Sequence, residues 1–219
     1  MRMGIHLKTC FVLTVLSIQA IFAAATEVHT LETGQKAPGF NLVGVDGQMH
    51  DLSEYDKSDV LAVLFTCNHC PTAQAYEQRM VDLVNDYKGK SVQLIAISGN
   101  DDKAVRLDEL RFSDIGDSLE DMKYRAKDFG YNFPYLYDGD TQAATIAYGA
   151  RATPHIFIFD KERKLRYQGR IDSNENPAKV TKTEARDAID AILTGKEIEV
   201  VSTRAFGCST KWSSKRESV

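Results

Sequence analysis

Cys67 and Cys70 stand in the run Phe65-Thr66-Cys67-Asn68-His69-Cys70-Pro71. Two thiols with two residues between them can close a small disulfide ring and reopen it. The apolar run Leu61–Phe65 precedes them and an amphipathic stretch, Pro71–Tyr87, comes after. A dithiol between a strand and a helix start lies where unpaired backbone N–H groups and the helix dipole favour a thiolate. Only the thiolate attacks a disulfide. This reasoning makes Cys67 the expected nucleophile, close to the helix start. Cys70, one turn in and more buried, is the expected resolving thiol. Asn68 and His69 are the residues placed to tune the pair. An imidazolium at His69 would favour a Cys67 thiolate and make the couple more oxidising; the competing reading is a solvent-exposed loop histidine.

A CxxC pair can also be half of a zinc site. Such a site needs four ligands, and the sequence has no second CxxC and no HxxxH. The expectation is therefore no metal and no organic cofactor, with the dithiol itself as redox centre. A copper-handling site is the less favoured reading of the same two thiols and histidine. A purely structural role is poor use of so short a loop, because closing it removes little unfolded-state entropy. A second signature lies downstream, where Thr153-Pro154 precedes the apolar run His155–Phe159. A proline just before a strand can hold a cis peptide in a tight connection.

The elements that must position these residues are read from hydrophobic period. Phe40–Val43 and Met49–Leu52 read as hairpin arms around the Asp46-Gly47 turn. Leu61–Phe65 and Val92–Ile97 are continuous apolar runs of the kind buried on both faces. Pro71–Tyr87 carries Tyr76, Met80, Leu83, Val84 and Tyr87 on one helical face. Ser118 opens a second helix that Gly130 stops, and 100–117 is a charged, irregular excursion. Phe133–Tyr137 is extended, Thr141–Tyr148 a short helix, and His155–Phe159 with Lys164–Ile171 a terminal hairpin. Thr181–Glu184 has the spacing of a capping box and starts a last helix with Gly195 at its end.

The chain of 219 residues has 43% apolar and 26% charged residues, ordinary values for a globular protein. A net charge of −4 gives no basic surface for nucleic acid. The beginning is different in kind. Met1-Arg2-Met3 and Lys8 are followed by the apolar run Cys10–Phe22 and then Ala23-Ala24-Ala25. This is the pattern of a secretory signal peptide ending at Ala25, and its run is short of a bilayer span. Its removal takes Arg2, Lys8 and Cys10 and shifts the net charge to −6. The organisation expected is a signal peptide at 1–25, a loose lead-in at 26–33, one domain at 34–195 and a tail at 196–219 carrying Cys208. Export to a periplasm or the medium would permit disulfide chemistry. After cleavage no membrane segment remains. Cys208 is the odd thiol, read as pairing between chains, as a free reactive thiol that covers the dithiol or exchanges with it, or as a packed residue beside Trp212.

These residues resemble the thioredoxin superfamily, and within it the secreted, peroxiredoxin-like redoxin branch. The resemblance runs from about Gly34 to Trp212. It rests on Ala37-Pro38-Gly39-Phe40, Asp46-Gly47, Phe65–Pro71, Phe133–Asp138, Tyr148-Gly149-Ala150, Thr153-Pro154, Gly169–Asp172 and Gly207–Trp212. It implies a three-layer α/β/α sandwich with an N-terminal β-hairpin extension. It also implies a thiol–disulfide oxidoreductase that exchanges with protein thiols and a redox partner protein. Pro154 matches the cis-proline facing the dithiol, and Thr153 the residue whose backbone pairs with a substrate chain. Two departures stand out. The buried acid that thioredoxins carry six residues before the nucleophile is Leu61 here, which leaves the proton shuttle unassigned. Cys70-Pro71-Thr72 looks like a peroxide-reacting site, yet the threonine expected three residues earlier is Cys67, and the arginine expected near the later strand falls at Pro154, with Arg151 displaced. Thiol peroxidase activity at Cys70 is therefore the first alternative, and a non-catalytic binding module the second. The sequence assigns no oligomeric state.

Overall fold

The computed structural model describes residues 28–113 and 115–215. The signal-peptide reading of 1–25 lies outside the described residues. The expected hairpin is present as β1 (Asn41–Gly44) and β2 (Met49–Asp51), with Leu42 opposite His50 and Gly47 at φ +78° in the turn. The two apolar runs form the centre of the sheet, β3 (Val60–Thr66) and β4 (Val92–Ser98), paired in parallel. Between them runs α1 (Pro71–Asp86). The helix α2 (Leu119–Asp128) starts at Ser118, whose hydroxyl accepts the Asp121 N–H. Then come β5 (Tyr135–Tyr137), α3 (Ala143–Tyr148), the two-residue β6 (Ala152–Thr153), β7 (His155–Phe159) and β8 (Leu165–Gly169). The last helix is α4 (Glu184–Thr194), and β9 (Cys208–Ser209) lies in the tail.

The main sheet has the order β2-β1-β5-β4-β3-β7-β8, mixed parallel and antiparallel. Alternation along β3 divides the core. Val60, Ala62 and Leu64 face Tyr76, Met80 and Leu83 of α1, Met122 of α2 and Ala185, Ala188 and Ile189 of α4. Leu61, Val63 and Phe65 face Ala144 and Tyr148 of α3 and the hairpin residues Phe40 and Leu42. The helices thus cover both faces, as the three-layer expectation requires. Each large apolar side chain buried this way contributes about 1.5–3 kcal/mol. Leu61, in the position of the missing acid, is fully buried in the second layer.

Several local expectations change. The residue before α4 is Thr183, so Thr181, the expected cap, lies outside the helix with its hydroxyl against Ser173 Oγ, and the Glu184 carboxylate accepts from Arg170 instead; the Thr181–Glu184 capping box is not formed. The described part of the lead-in is docked: the Leu31 N–H donates to Tyr148 O and the Thr30 hydroxyl to Gly149 O. Gly149 is needed there, since a Cβ would lie 1.9 Å from His29 O. The excursion contains short 3-10 turns at Asp102–Ala104 and Glu109–Phe112 and ends at the buried Asp117. The tail returns to the sheet. Thr203 and Val201 bond the backbone of Gln168, and Cys208 and Ser209 pair with Thr153 and Ala152.

Candidate functional site

The dithiol loop joins the C-terminal end of β3 to α1. Cys70 is the N-cap residue of α1, with Pro71 in the first helical position, where its missing N–H costs nothing. Cys70 therefore sits at the helix start itself, a correction to its expected place one turn in. Both sulfurs are shut away: Cys67 is 2% exposed and Cys70 0%. The Thr153–Pro154 peptide is cis and faces them. Cys67 Sγ is hydrogen-bonded to Thr153 Oγ1 at 3.2 Å, and Cys70 Sγ lies 3.4 Å from Thr153 O, to which its thiol form donates.

The third thiol is here too. Cys208 packs against Cys67, Cys70 and Ala73, and its strand pairs with Thr153. All the described cysteines, reduced in this structure, thus meet at one place. The Cys70 thiol is pulled far below the ordinary range. Hydrogen bonding from Cys208 is the main cause, then from Cys67, against the opposing effect of burial; the Ala73 N–H in the first turn of α1 adds to it. Cys67 is pushed well up, by burial first, then by its bond to Cys70 and the charge of Asp117. Cys208 is pushed up as it donates to Cys70. Three thiols in contact favour one anion, and it belongs on the sulfur that receives the others' hydrogen bonds. The helix-start argument for a Cys67 thiolate therefore transfers to Cys70, the residue that occupies that start.

His69 is buried, not an exposed loop residue. Its Nδ1 lies 2.6 Å from Asp117 Oδ2. Burial opposes the imidazolium, but the hydrogen bond and charge of Asp117 outweigh it and raise the histidine above its ordinary value. Asp117 is held low by His69 and Asn100 despite its burial. Its Oδ1 also accepts the N–H groups of Asn68 and His69, at 2.8 and 3.1 Å, and its Oδ2 accepts Asn100 Nδ2 at 2.7 Å. Asn68 donates through Nδ2 to Gly116 O and accepts from the Tyr135 hydroxyl. Asn68 and His69 thus tie the loop to the end of the excursion. Ligand atoms of Cys67, His69 and Asp117 lie within 4.8 Å of one another, but four hydrogen bonds already engage both oxygens of Asp117. Asp117 is the residue sequence reasoning missed. It lies 47 positions from Cys70 in a segment without hydrophobic period, and only its place before the Ser118 cap marked it at all.

The structure places Thr153, Pro154 and Cys208 beside the dithiol. His155 does not reach it. Its Nε2 bonds Gln168 Oε1 at 2.7 Å, and burial lowers its pKa to about 4. It lines a cavity of about 840 Å³ on the far side of β9, together with Arg151 and Arg204.

Residues 33–168 match the model of the AhpC/TSA family. The thiol-disulfide oxidoreductase ResA of Geobacillus thermodenitrificans is 25% identical over 143 residues, 64% of this chain and 71% of the relative. Two solved structures are similar over most of the chain. A hypothetical protein of Sinorhizobium meliloti is 33% identical with a TM-score of 0.74, covering 84% of this chain and 97% of its own. An uncharacterized conserved protein of Geobacillus kaustophilus is 36% identical with a TM-score of 0.73, covering 83% and 92%.

Proposed function

Because the chain belongs to the AhpC/TSA family, within the thioredoxin superfamily, we propose that it is an exported thiol–disulfide oxidoreductase whose redox centre is the Cys67–Cys70 pair. The observation that carries the reading is the dithiol at the β3–α1 junction, facing the cis Thr153–Pro154 peptide with a thiolate favoured on Cys70. The pair cycles between dithiol and disulfide and uses no organic cofactor or metal. Its partners are protein thiols and disulfides and a redox protein that resets it. Residues 1–25 supply the address for export and are absent from the working form. Among the described residues no helix is long and apolar enough to cross a membrane.

The test is reduction of insulin disulfides. The native chain accelerates it, and the double variant Cys67→Ser, Cys70→Ser does not. A double variant as active as the native protein would sink the reading. Mass analysis of exported protein checks the address: the chain begins at Thr26.

The low pKa of Cys70 also favours a second reading, a thiol peroxidase with Cys70 as the peroxide-reacting sulfur. Stopped-flow mixing of the reduced protein with hydrogen peroxide separates the two. Fast oxidation that Cys70→Ser loses and Cys67→Ser keeps supports the peroxidase; slow oxidation in all forms removes it.

A further inference from the structure

The dithiol is the least accessible part of the thiol cluster. Cys67 and Cys70 are buried, while Cys208 is only partly buried. The backbone beside them is closed as well. Thr153, whose side chain bonds Cys67, is paired through its main chain with Cys208, and Ala152 with Ser209. The Thr153 hydroxyl also donates to Cys208 O at 3.5 Å. The strand is held close by Gly207, at φ +141°, where an added Cβ would lie 2.0 Å from Thr153 O. Two further bonds anchor the residues just beyond β9: the Thr210 hydroxyl to Ala150 O at 2.8 Å and the Lys211 N–H to Asn100 Oδ1 at 2.9 Å. A protein disulfide approaching from outside therefore meets β9 before it meets Cys67 or Cys70. The first thiol it can reach is Cys208, whose sulfur is in contact with that of Cys70.

We infer that Cys208 is a third redox residue, the outward-facing thiol through which the buried Cys67–Cys70 pair exchanges electrons with protein disulfides. The inference rests on the oxidoreductase reading and adds a residue to it. The reduced cluster holds one thiolate, on Cys70, and thiols at Cys67 and Cys208. Cys208 passes its proton to Cys70 and attacks a substrate disulfide RS–SR′. That bond breaks, R′S⁻ takes the proton from Cys70 and departs as R′SH, and a Cys208–SR disulfide remains. The Cys70 thiolate then attacks the Cys208 sulfur and expels RS⁻, which takes the proton of Cys67 and departs as RSH. The Cys67 thiolate attacks Cys70, forming Cys67–Cys70 and releasing Cys208 as a thiolate. Two electrons have moved from the pair to the substrate, and one negative charge is present at the start and at the end. Sulfurs already in contact make the internal exchanges unimolecular, the condition under which thiol–disulfide steps are fastest.

The probe is the chromogenic aromatic disulfide DTNB, one equivalent mixed with the reduced full chain. In Cys67→Ser the relay releases both chromophores, and peptide mapping without reductant finds an intrachain Cys70–Cys208 disulfide. In Cys208→Ser the first release is at least about tenfold slower than in the native protein, since the buried thiols must be reached directly. Circular dichroism confirms that each variant is folded. A Cys208→Ser variant that reacts as fast as the native chain overturns the proposal. So does a Cys67→Ser protein that keeps one chromophore bound, or that pairs only between chains. The readout needs no protein substrate. Failure to reduce insulin therefore counts against the proposed function, and failure here counts against the relay alone.

Discussion

Asp117 shows how a residue can dominate a site while leaving only a faint trace in sequence. Its carboxylate accepts two N–H groups of the dithiol loop and faces the His69 ring, with side chains of 0% and 2% exposure. The CxxC spacing is local and legible; the partner that fixes its middle comes from a segment with no period, brought in only by the packing of 100–117. A buried ion pair that loses one member leaves an unpaired charge, at a cost of about 3–5 kcal/mol. Asp117→Asn should lower stability by that order and bring His69 down in pH, both measurable by thermal unfolding and by histidine NMR titration. The sign in the native protein is set by the shifts. His69 is raised, so its contribution is full below its ordinary 6.5 and fades as pH climbs through the folded value. Asp117 is lowered, so its contribution is full above its ordinary 3.8 and fades as pH falls through the folded value. The pair therefore supports the fold most between those two values. Cys70 gives a separate test. Its lowered pKa means that one thiolate persists at neutral pH, visible as ultraviolet absorbance near 240 nm. The band should vanish in Cys70→Ser and survive in Cys67→Ser with its midpoint shifted upward, because one donor to Cys70 is gone. The anion stabilises the reduced fold fully above the ordinary thiol value of 9.0 and progressively less as pH falls.

Elements with a strong period were legible from sequence, and those made by long-range pairing were not. β3, β4, α1 and β7 are set by apolar runs and a helical stripe, and their bounds agree with expectation to within a residue or two. β6 and β9 have two residues each and no periodicity; they exist because distant backbone segments meet beside Pro154. The capping box failed for a related reason. Its four-residue pattern was present, but the helix starts two residues later than the pattern implies, with Thr181 against Ser173 and the Glu184 carboxylate on Arg170. Gly207 tests the element that matters most. Alanine at φ +141°, with its Cβ 2.0 Å from a backbone oxygen, must move the strand. Gly207→Ala should cost about 1–3 kcal/mol and detach β9 from β6. Maleimide labelling of reduced Cys67, negligible in the native protein, should then become rapid. If Cys67 stays protected in a folded Gly207→Ala chain, β9 is not what covers the dithiol.

At the scale of the whole molecule, the described part of the tail, 196–215, is part of the packed body. Ile198 is buried in the first core layer, and Phe206 lies 6.1 Å from the Tyr76 ring. Gln142 donates through Nε2 to Lys211 O and accepts the Ser213 N–H, at 2.8 and 2.9 Å. These contacts are distributed along the tail and end on β8, α1 and the start of α3, so the tail cannot leave without disturbing all three. Trp212 is the single tryptophan of the chain and sits half-buried within this docked stretch. It reports tail docking, while far-UV circular dichroism reports the sheet and helices. A tail that folds with the body makes the two urea transitions coincide. The comparison is sharpened by Phe157→Ala, outside the tail on β7, whose ring packs edge-on against Phe65 and Tyr148 in the second layer. Removing it should cost about 3–5 kcal/mol. Both probes should shift together by that amount, because β7 also carries Ile156 and Ile158 into the first layer. A Trp212 transition that keeps its native midpoint while the dichroism shifts would show the tail to be an independent unit, and would leave the dithiol covered by a segment free to open on its own.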